Sequence, residues 1–206
     1  MSATIYPGMT QLQGNLMAAV DLETTGVRAG YHDIIQIAVL PLNADLRPLE
    51  SVQPFYTTIK PKYPERASKA ATYKHHLSVD DLVLNAPDAD KVADLFVEWV
   101  ERLQLPVGRY LVPLAHNWPF ESSFLKSWLG VEMCSSIFHA HARDSMGLAI
   151  AINDLAAFSG EITPFHSVSL NSMCKKLNII NVNPHDALSD CIAEAELYRT
   201  LLQMRL

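Results

Sequence analysis

Short apolar runs mark the start of the chain. They cover residues 15–22, 34–42 and 55–59, and the first run ends in a Thr-Thr-Gly turn. Apolar runs of this length between turn residues are typical of buried strands. The pattern therefore predicts two strands joined as a hairpin, followed by a third strand.

After residue 90 the apolar positions take the spacing of helices. They recur in this way over residues 92–103, and an apolar run at 110–115 then predicts a fourth strand. Pro119 suits the first position of a helix that reaches about Leu129. This order of elements indicates a mixed α/β chain. Further helices are predicted at 145–158, 169–177 and 188–202.

The composition is that of a folded protein with a modest negative charge. The chain has 206 residues, of which 49% are hydrophobic, and its 16 basic and 22 acidic residues give a net charge of -6. This net negative charge argues against a protein that binds a long nucleic-acid duplex only through contacts with its phosphates. Because the sequence contains no repeat and no linker, we expect one domain over residues 1–206.

The sequence favours a cytoplasmic protein. Its apolar runs are shorter than the ~20 residues that a membrane span requires, and no basic residue precedes Arg28. The three cysteines, Cys134, Cys174 and Cys191, contain no C-x-x-C pair. Neither a disulfide framework nor a zinc ribbon is therefore predicted.

An acidic pair closes the first apolar run. Asp21 and Glu23 are two residues apart, so on a strand their side chains point to the same face. Like charges about 4 Å apart repel by roughly 4 kcal/mol at an effective dielectric constant of 20. A hard divalent cation such as Mg²⁺ or Mn²⁺ would relieve that repulsion. On these two residues alone, an acidic turn after a strand is the alternative.

Three motifs in a fixed order carry a more specific signal. D-L-E-T-T-G at 21–26 closes the first strand, H-N-W-P-F-E at 116–121 opens a helix, and H-x4-D at 185–190 opens the last helix. This order resembles the DEDDh group of the DnaQ-like 3'-to-5' exonucleases, which includes proofreading subunits and RNase T. The resemblance implies an α/β, RNase H-like fold with a central mixed β-sheet flanked by helices. Residues 74–78 and 143–146 also resemble family segments, more weakly.

The resemblance implies a role for each residue of these motifs. Asp21, Glu23 and Asp190 would bind metal, and His185 would be the general base. Position 186 is Asp, whereas the tyrosine subclass has Tyr there, so the histidine subclass fits. Two Mg²⁺ ions, for which Mn²⁺ is expected to substitute, would orient the attacking water and stabilise the leaving oxygen.

The middle acid departs from the family pattern. The family normally has Asp after Phe, whereas this chain has Glu121. In one interpretation Glu121 keeps the charge and, with Asp21, still holds the second metal. In the other it is only an acid in the first turn of a helix, where the helix dipole favours it.

Substrate contacts are also implied by the resemblance. Thr24, Thr25 and Gly26 would offer backbone N–H groups and a close approach to the terminal nucleotide. Asn117 and Phe120 would contact and stack on terminal bases, although Phe120 in the core is an equal alternative. Trp118 is a second stacking surface, and the basic stretch at 60–74 is either a phosphate contact or a solvated loop.

The predicted function is a metal-dependent exonuclease that releases nucleoside 5'-monophosphates from 3' ends of single-stranded DNA or RNA. A catalytically impaired nucleic-acid-binding or polymerase-accessory module is the first alternative, and a single-metal hydrolase is the second. Because the sequence has no extension after Leu206 that could tether it to a polymerase, we expect a stand-alone or phage-type nuclease rather than a replicative proofreading subunit. A polymerase partner stays an open alternative that no motif indicates.

Overall fold

The structure is a computed structural model that describes residues 12–204. Within this range one sheet contains β1 (Leu16–Thr24), β2 (Ile34–Pro41), β3 (Phe55–Thr58), β4 (Leu111–Ala115) and β5 (Arg143–Asp144). The helices are α1 (Lys69–His75), α2 (Val79–Asn85), α3 (Ala89–Arg102), α4 (Trp118–Leu129), α5 (Val131–Ile137), α6 (Ser145–Phe158), α7 (Leu170–Lys176) and α8 (Ala187–Gln203). A 3₁₀ turn covers Pro64–Arg66.

The strand order in the sheet is β3-β2-β1-β4-β5. β1 and β2 form the predicted antiparallel hairpin, and β3 pairs antiparallel with β2. β4 lies parallel to β1, and β5 lies parallel to β4. The expectation of a mixed sheet flanked by helices is therefore confirmed, with β1 at its centre.

Side-chain alternation along β1 divides the core into two layers. Ala18 and Val20 face a cluster that α3 and α4 complete with Phe96 and Phe124. Met17 and Ala19 face the opposite cluster, which contains the apolar face of α8. Because side chains on a strand alternate with a period of two, the odd-numbered residues after Ala19 also point toward α8.

Two short helices, α1 and α5, were not predicted, whereas α2 was implied by the resemblance of residues 74–78 to the family's turn before a short helix. The basic stretch after β3 contains the 3₁₀ turn and α1, and α2 and α5 are likewise only seven residues long. Helices this short show no repeating apolar pattern, and local capping helps to form two of them. The Ser68 hydroxyl accepts from the Ala71 N–H at the start of α1, and Ser78 accepts from the Asp81 N–H at the start of α2.

No helix among residues 12–204 is both long enough and apolar enough to cross a membrane.

Phe96 lies at the centre of the first core layer, the cluster that Ala18 and Val20 face. It is fully buried, and its ring lies 5.1 Å from Phe55 and 6.1 Å from Phe138, measured between centroids. We expect Phe96→Ala to lower the free energy of unfolding by about 3 to 5 kcal/mol, because it leaves a cavity. Urea denaturation measures this change. Leu95→Ala, at a neighbouring position that is 39% exposed, is the control and should cost about 1 kcal/mol or less.

Candidate active site

The acidic pair of β1 points toward α8. Asp21 and Glu23 follow Met17 and Ala19 on the same face of the strand, and both are half-buried. In the hairpin Asp21 lies opposite Ala38, and Glu23 lies opposite Gln36. Both carboxylates therefore stand at the end of the central strand, beside the start of the last helix.

Asp190 and His185 approach this pair from the loop and first turn of α8. His185 adopts a left-handed backbone conformation with φ of 67°, and its backbone N–H donates to Asp190 Oδ2 at 3.2 Å. Asn181 Nδ2 donates to Asp190 Oδ1 at 2.5 Å. Three ligand atoms lie within 4.8 Å of one another, one each from Glu23, His185 and Asp190. Two motifs far apart in sequence thus meet at one point.

Polar contacts with the sheet hold the start of α8 in place. Asp186 caps the helix by accepting from the Ser189 N–H at 3.0 Å. Its other carboxylate oxygen accepts from the Tyr56 hydroxyl at 2.5 Å. Gln36 Oε1 accepts from the Ala187 N–H at 2.9 Å. Because Gln36 and Tyr56 belong to β2 and β3, the sheet positions the loop that carries His185.

A tight turn presents Glu121 to the same site. Asn117 has φ of 91°, and the Asp144 carboxylate accepts from the Trp118 N–H at 2.8 Å and from the Asn117 N–H at 3.3 Å. Asp144 also caps α6 through the Gly147 N–H. Glu121 follows in the first turn of α4 and is only 5% exposed. Its Oε2 has no hydrogen-bond partner among the described residues.

The turn after β1 is closely packed. The Thr25 N–H donates to the Asp33 carbonyl at 2.9 Å, so the predicted contact of this group with a nucleotide would compete with the turn. The Thr24 hydroxyl donates to the Gly26 carbonyl at 2.7 Å. A Cβ on Gly26 would lie 2.4 Å from the His32 ring. Only glycine therefore fits at this position without displacing that ring.

The aromatic residues of the second motif are partly buried. The Phe120 ring lies 4.9 Å from Phe124, and the Trp118 ring lies 5.6 Å from Phe138, measured between centroids. Both pack against the first core layer. Each side chain thus contributes to the core and keeps some exposed surface.

Basic and aromatic residues alternate on the surface before α1. The Arg66 guanidinium lies 3.6 Å from the Tyr63 ring centroid and 4.8 Å from that of Tyr31. Arg28 also covers the Tyr31 ring, at 4.0 Å. At the other end of this segment, Lys74 lies close enough to the site to lower the pKa of Glu23 in part. Positive charge thus borders the acidic site.

Burial is the largest cause of a raised pKa for four acids of the site, Asp21, Glu23, Glu121 and Asp190. Burial is the largest cause for Asp21, and repulsion from its acidic neighbours, Asp190 foremost, adds to it. Burial and then Asp190 raise the pKa of Glu23 to about 8. The pKa values of Asp190 and Glu121 are also raised, mainly by burial. These carboxylates need protons or cations to share the site, and their hard oxygen ligands suit a divalent metal ion.

A buried histidine that the motifs did not single out borders the site. His75, at the end of α1, is 5% exposed, and its Nδ1 accepts from the Leu77 N–H at 3.0 Å. Burial chiefly lowers its pKa, and the nearby His76 and His185 lower it further.

Glu194 is a further acid that the motifs did not single out. It is fully buried in α8, and burial and repulsion from Glu121 raise its pKa well above the ordinary value. The sequence could have indicated this burial. Glu194 lies three residues after Cys191 and four before Tyr198, so it falls on the apolar stripe of the helix.

Comparisons with known proteins show the family and the fold of this chain. The family profile described as Exonuclease (RNase_T) matches residues 18–198. The chain is 28% identical over 184 residues to the PolC-type DNA polymerase III of Bacillus cereus. That alignment covers 89% of this chain and 11% of the polymerase, so the chain spans about a tenth of the length of this relative.

Two solved structures show the same fold. The structure of E. coli exonuclease I in complex with a dA16 oligonucleotide matches with a TM-score of 0.71 and 16% identity, over 93% of this chain and 41% of that chain. The nuclease domain of 3'hExo, a DEDDh family member bound to rAMP, matches with a TM-score of 0.63 and 19% identity, over 92% of each chain. The expected RNase H-like fold is confirmed.

The raised pKa of Glu23 predicts how stability depends on pH. Its pKa is about 8 in the folded protein against 4.5 ordinarily, so between these values the folded state holds more protons than the unfolded chain. Metal-free stability should therefore decrease as pH rises through this window. Thermal melts in EDTA from pH 5 to 8 measure the effect, and each 1 kcal/mol lost lowers Tm by about 2 to 4 °C.

Two comparisons isolate this effect. Glu23→Gln should show a flatter decrease than the wild type, because the two proteins share all other titrating groups. Added Mg²⁺ should likewise flatten the wild-type decrease. Equal pH slopes in wild type and Glu23→Gln would contradict the prediction.

Proposed function

The chain belongs to the exonuclease family. From that premise we propose that it removes nucleotides one at a time from the 3' ends of single-stranded DNA or RNA, by metal-dependent hydrolysis of phosphodiester bonds. One observation carries the proposal. Ligand atoms of Glu23, His185 and Asp190 converge within 4.8 Å, beside Asp21 at the end of the central strand. This is an arrangement of hard oxygen ligands with a titratable nitrogen next to them.

The carboxylates of the site are the proposed ligands of two divalent cations, Mg²⁺ or, as a substitute, Mn²⁺. Asp21, Glu23 and Asp190 would hold the first ion, and Asp21 and Glu121 the second. Glu121 Oε2, which has no partner in the part of the chain that the structure describes, and the raised pKa values of these acids support the fit. When bound, the ions would neutralise charge on the phosphate and make the attacking water easier to deprotonate.

His185 is the proposed general base. Its backbone is held by Asp190 and its Nε2 lies 3.4 Å from Asn171 Nδ2, which keeps the ring at the mouth of the acidic site. It would take a proton from water as the water oxygen bonds to phosphorus and the bond to the 3' oxygen breaks. The products are a nucleoside 5'-monophosphate and a strand shortened by one nucleotide, whose 3' oxygen takes up a proton.

Nearby surfaces are proposed to bind the substrate strand. Asn117, Phe120 and Trp118 would contact terminal bases, while Gly26 would allow a close approach of the backbone. The residues around Arg66 combine positive charge with aromatic rings, as surfaces for single strands do. The related E. coli exonuclease I structure contains a dA16 oligonucleotide, which supports a single-stranded substrate.

Direct hydrolysis tests the proposal. Single-stranded DNA and RNA of the same sequence, labelled at the 5' end, are incubated with the protein and Mg²⁺, Mn²⁺ or EDTA. We expect a ladder that shortens from the 3' end in both metals and an intact strand in EDTA. Binding without cleavage in every lane would instead indicate a catalytically impaired nucleic-acid-binding module.

His185→Ala tests the proposed base. Turnover should decrease by roughly 10²- to 10⁴-fold, while the affinities for Mn²⁺ and for the oligonucleotide change little. His166→Ala, at an exposed histidine with no proposed role, is the control and should retain full turnover. Unchanged turnover in His185→Ala, or loss of oligonucleotide binding alone, would remove His185 from this role.

A further inference from the structure

Two buried carboxylates from different helices each present an unpartnered oxygen. Glu121 in α4 is 5% exposed and Glu194 in α8 is 0% exposed. Within the part of the chain that the structure describes, neither Glu121 Oε2 nor Glu194 Oε2 has a hydrogen-bond partner. A buried carboxylate without a partner is strongly unfavourable, so this pair requires a proton or a cation.

A series of polar contacts leads from Glu194 through Ser145 to His116. Its Oε1 lies 3.2 Å from Ser145 Oγ, and Ser145 Oγ lies 2.8 Å from His116 Nδ1. The Val168 carbonyl, which can only accept, lies 2.8 Å from His116 Nε2. That nitrogen therefore carries a proton, and in the neutral ring Nδ1 is an acceptor. The single Ser145 proton can then be donated to His116 or to Glu194 but not to both. When it is donated to His116, neither Glu194 oxygen accepts a hydrogen bond from the described residues.

Asp21 connects this pair with the rest of the site. Repulsion from both Glu121 and Glu194 contributes to the raised pKa of Asp21. Repulsion from Glu121 is the largest electrostatic contribution to the raised pKa of Glu194. Ser145, which contacts Glu194, follows Asp144, and Asp144 holds the turn at the start of α4 that carries Glu121. Asp21 lies on the face of β1 that points toward α8. Acids from β1, α4 and α8 are thus brought to one junction of the fold.

We propose that Glu194 is a further ligand of the cation at Glu121, so that Asp21, Glu121 and Glu194 together hold the second metal ion. This inference rests on the proposed metal-dependent function and extends it by one residue. Mg²⁺ and Mn²⁺ prefer hard oxygen ligands, and an ion between the three carboxylates would pair both unpartnered oxygens.

Mn²⁺ binding to the complete chain tests the proposal. Titration calorimetry and the Mn²⁺ EPR signal are measured for the wild type, Glu194→Gln and Glu196→Gln. Gln keeps the shape of Glu and its contact with Ser145, so the metal-free Tm should stay within about 3 °C of the wild type. We expect Glu194→Gln to weaken the second Mn²⁺ site by about tenfold or more and to leave the first site unchanged.

The control lies on the same helix. Glu196 is two residues from Glu194 but pairs with Arg199, so Glu196→Gln should bind both ions as the wild type does. Should Glu194→Gln not fold, Glu194→Asp keeps the charge with a shorter reach, and we expect it to weaken the second site less than tenfold.

The outcomes separate this inference from the proposed function. A wild type that binds no Mn²⁺ would overturn the proposed metal-dependent function itself. A wild type with two sites, both unchanged in Glu194→Gln, would overturn only the role of Glu194. A lower Tm in Glu194→Gln with unchanged Mn²⁺ affinities would show that Glu194 is purely structural.

Discussion

The repulsion among buried carboxylates is the constraint on which the rest of the structure depends. Asp21, Glu23 and Asp190 meet at the end of β1, and Glu121 and Glu194 add two further acids behind them. While the acids are ionised and without cations, hydrogen bonds to Asp190 from Asn181 and the His185 N–H, and to Glu194 from Ser145, offset only part of this repulsion. The two apolar layers on either face of β1 must therefore supply the free energy that holds the acids together. The acids can be held together only because apolar burial elsewhere in the fold offsets their repulsion.

Alternation on one strand links that core to the chemistry. Ala18 and Val20 fill one layer, while Met17, Ala19, Asp21 and Glu23 share the other face. The same register therefore buries apolar side chains against α8 and aims two carboxylates at its first turn. A register slip of one residue would reverse both at once. The contacts of Gln36 and Tyr56 with the start of α8 complete this arrangement, because they tie the loop with His185 to the same sheet.

Sequence patterns predicted the parts of the fold that repeat and the parts of the site that lie in motifs. Apolar runs predicted β1 to β4, helical spacing predicted α3 and α8, and the motif order predicted the candidate residues Asp21, Glu23, Glu121, His185 and Asp190. Contacts between distant residues left no such pattern. Asp144 holds the Asn117 turn across 26 or more residues, and Glu194 sits on an apolar stripe where its charge had no visible partner. Short capped helices such as α1 also lack a period to detect.

The burial of Glu121 bears on the two interpretations of this unusual residue. An acid that is only favoured by the helix dipole gains about 0.3 to 1 kcal/mol, and it gains this at an exposed position. Glu121 is 5% exposed, and one of its oxygens has no partner among residues 12–204. The cost of burying such a group as a charge far exceeds that gain. The dipole alone therefore does not explain the position of this side chain. Since Asp144 fixes the turn that starts α4, the backbone has little freedom to withdraw the longer acid. Its burial therefore requires a proton, which the raised pKa of Glu121 favours, or the cation proposed for this site.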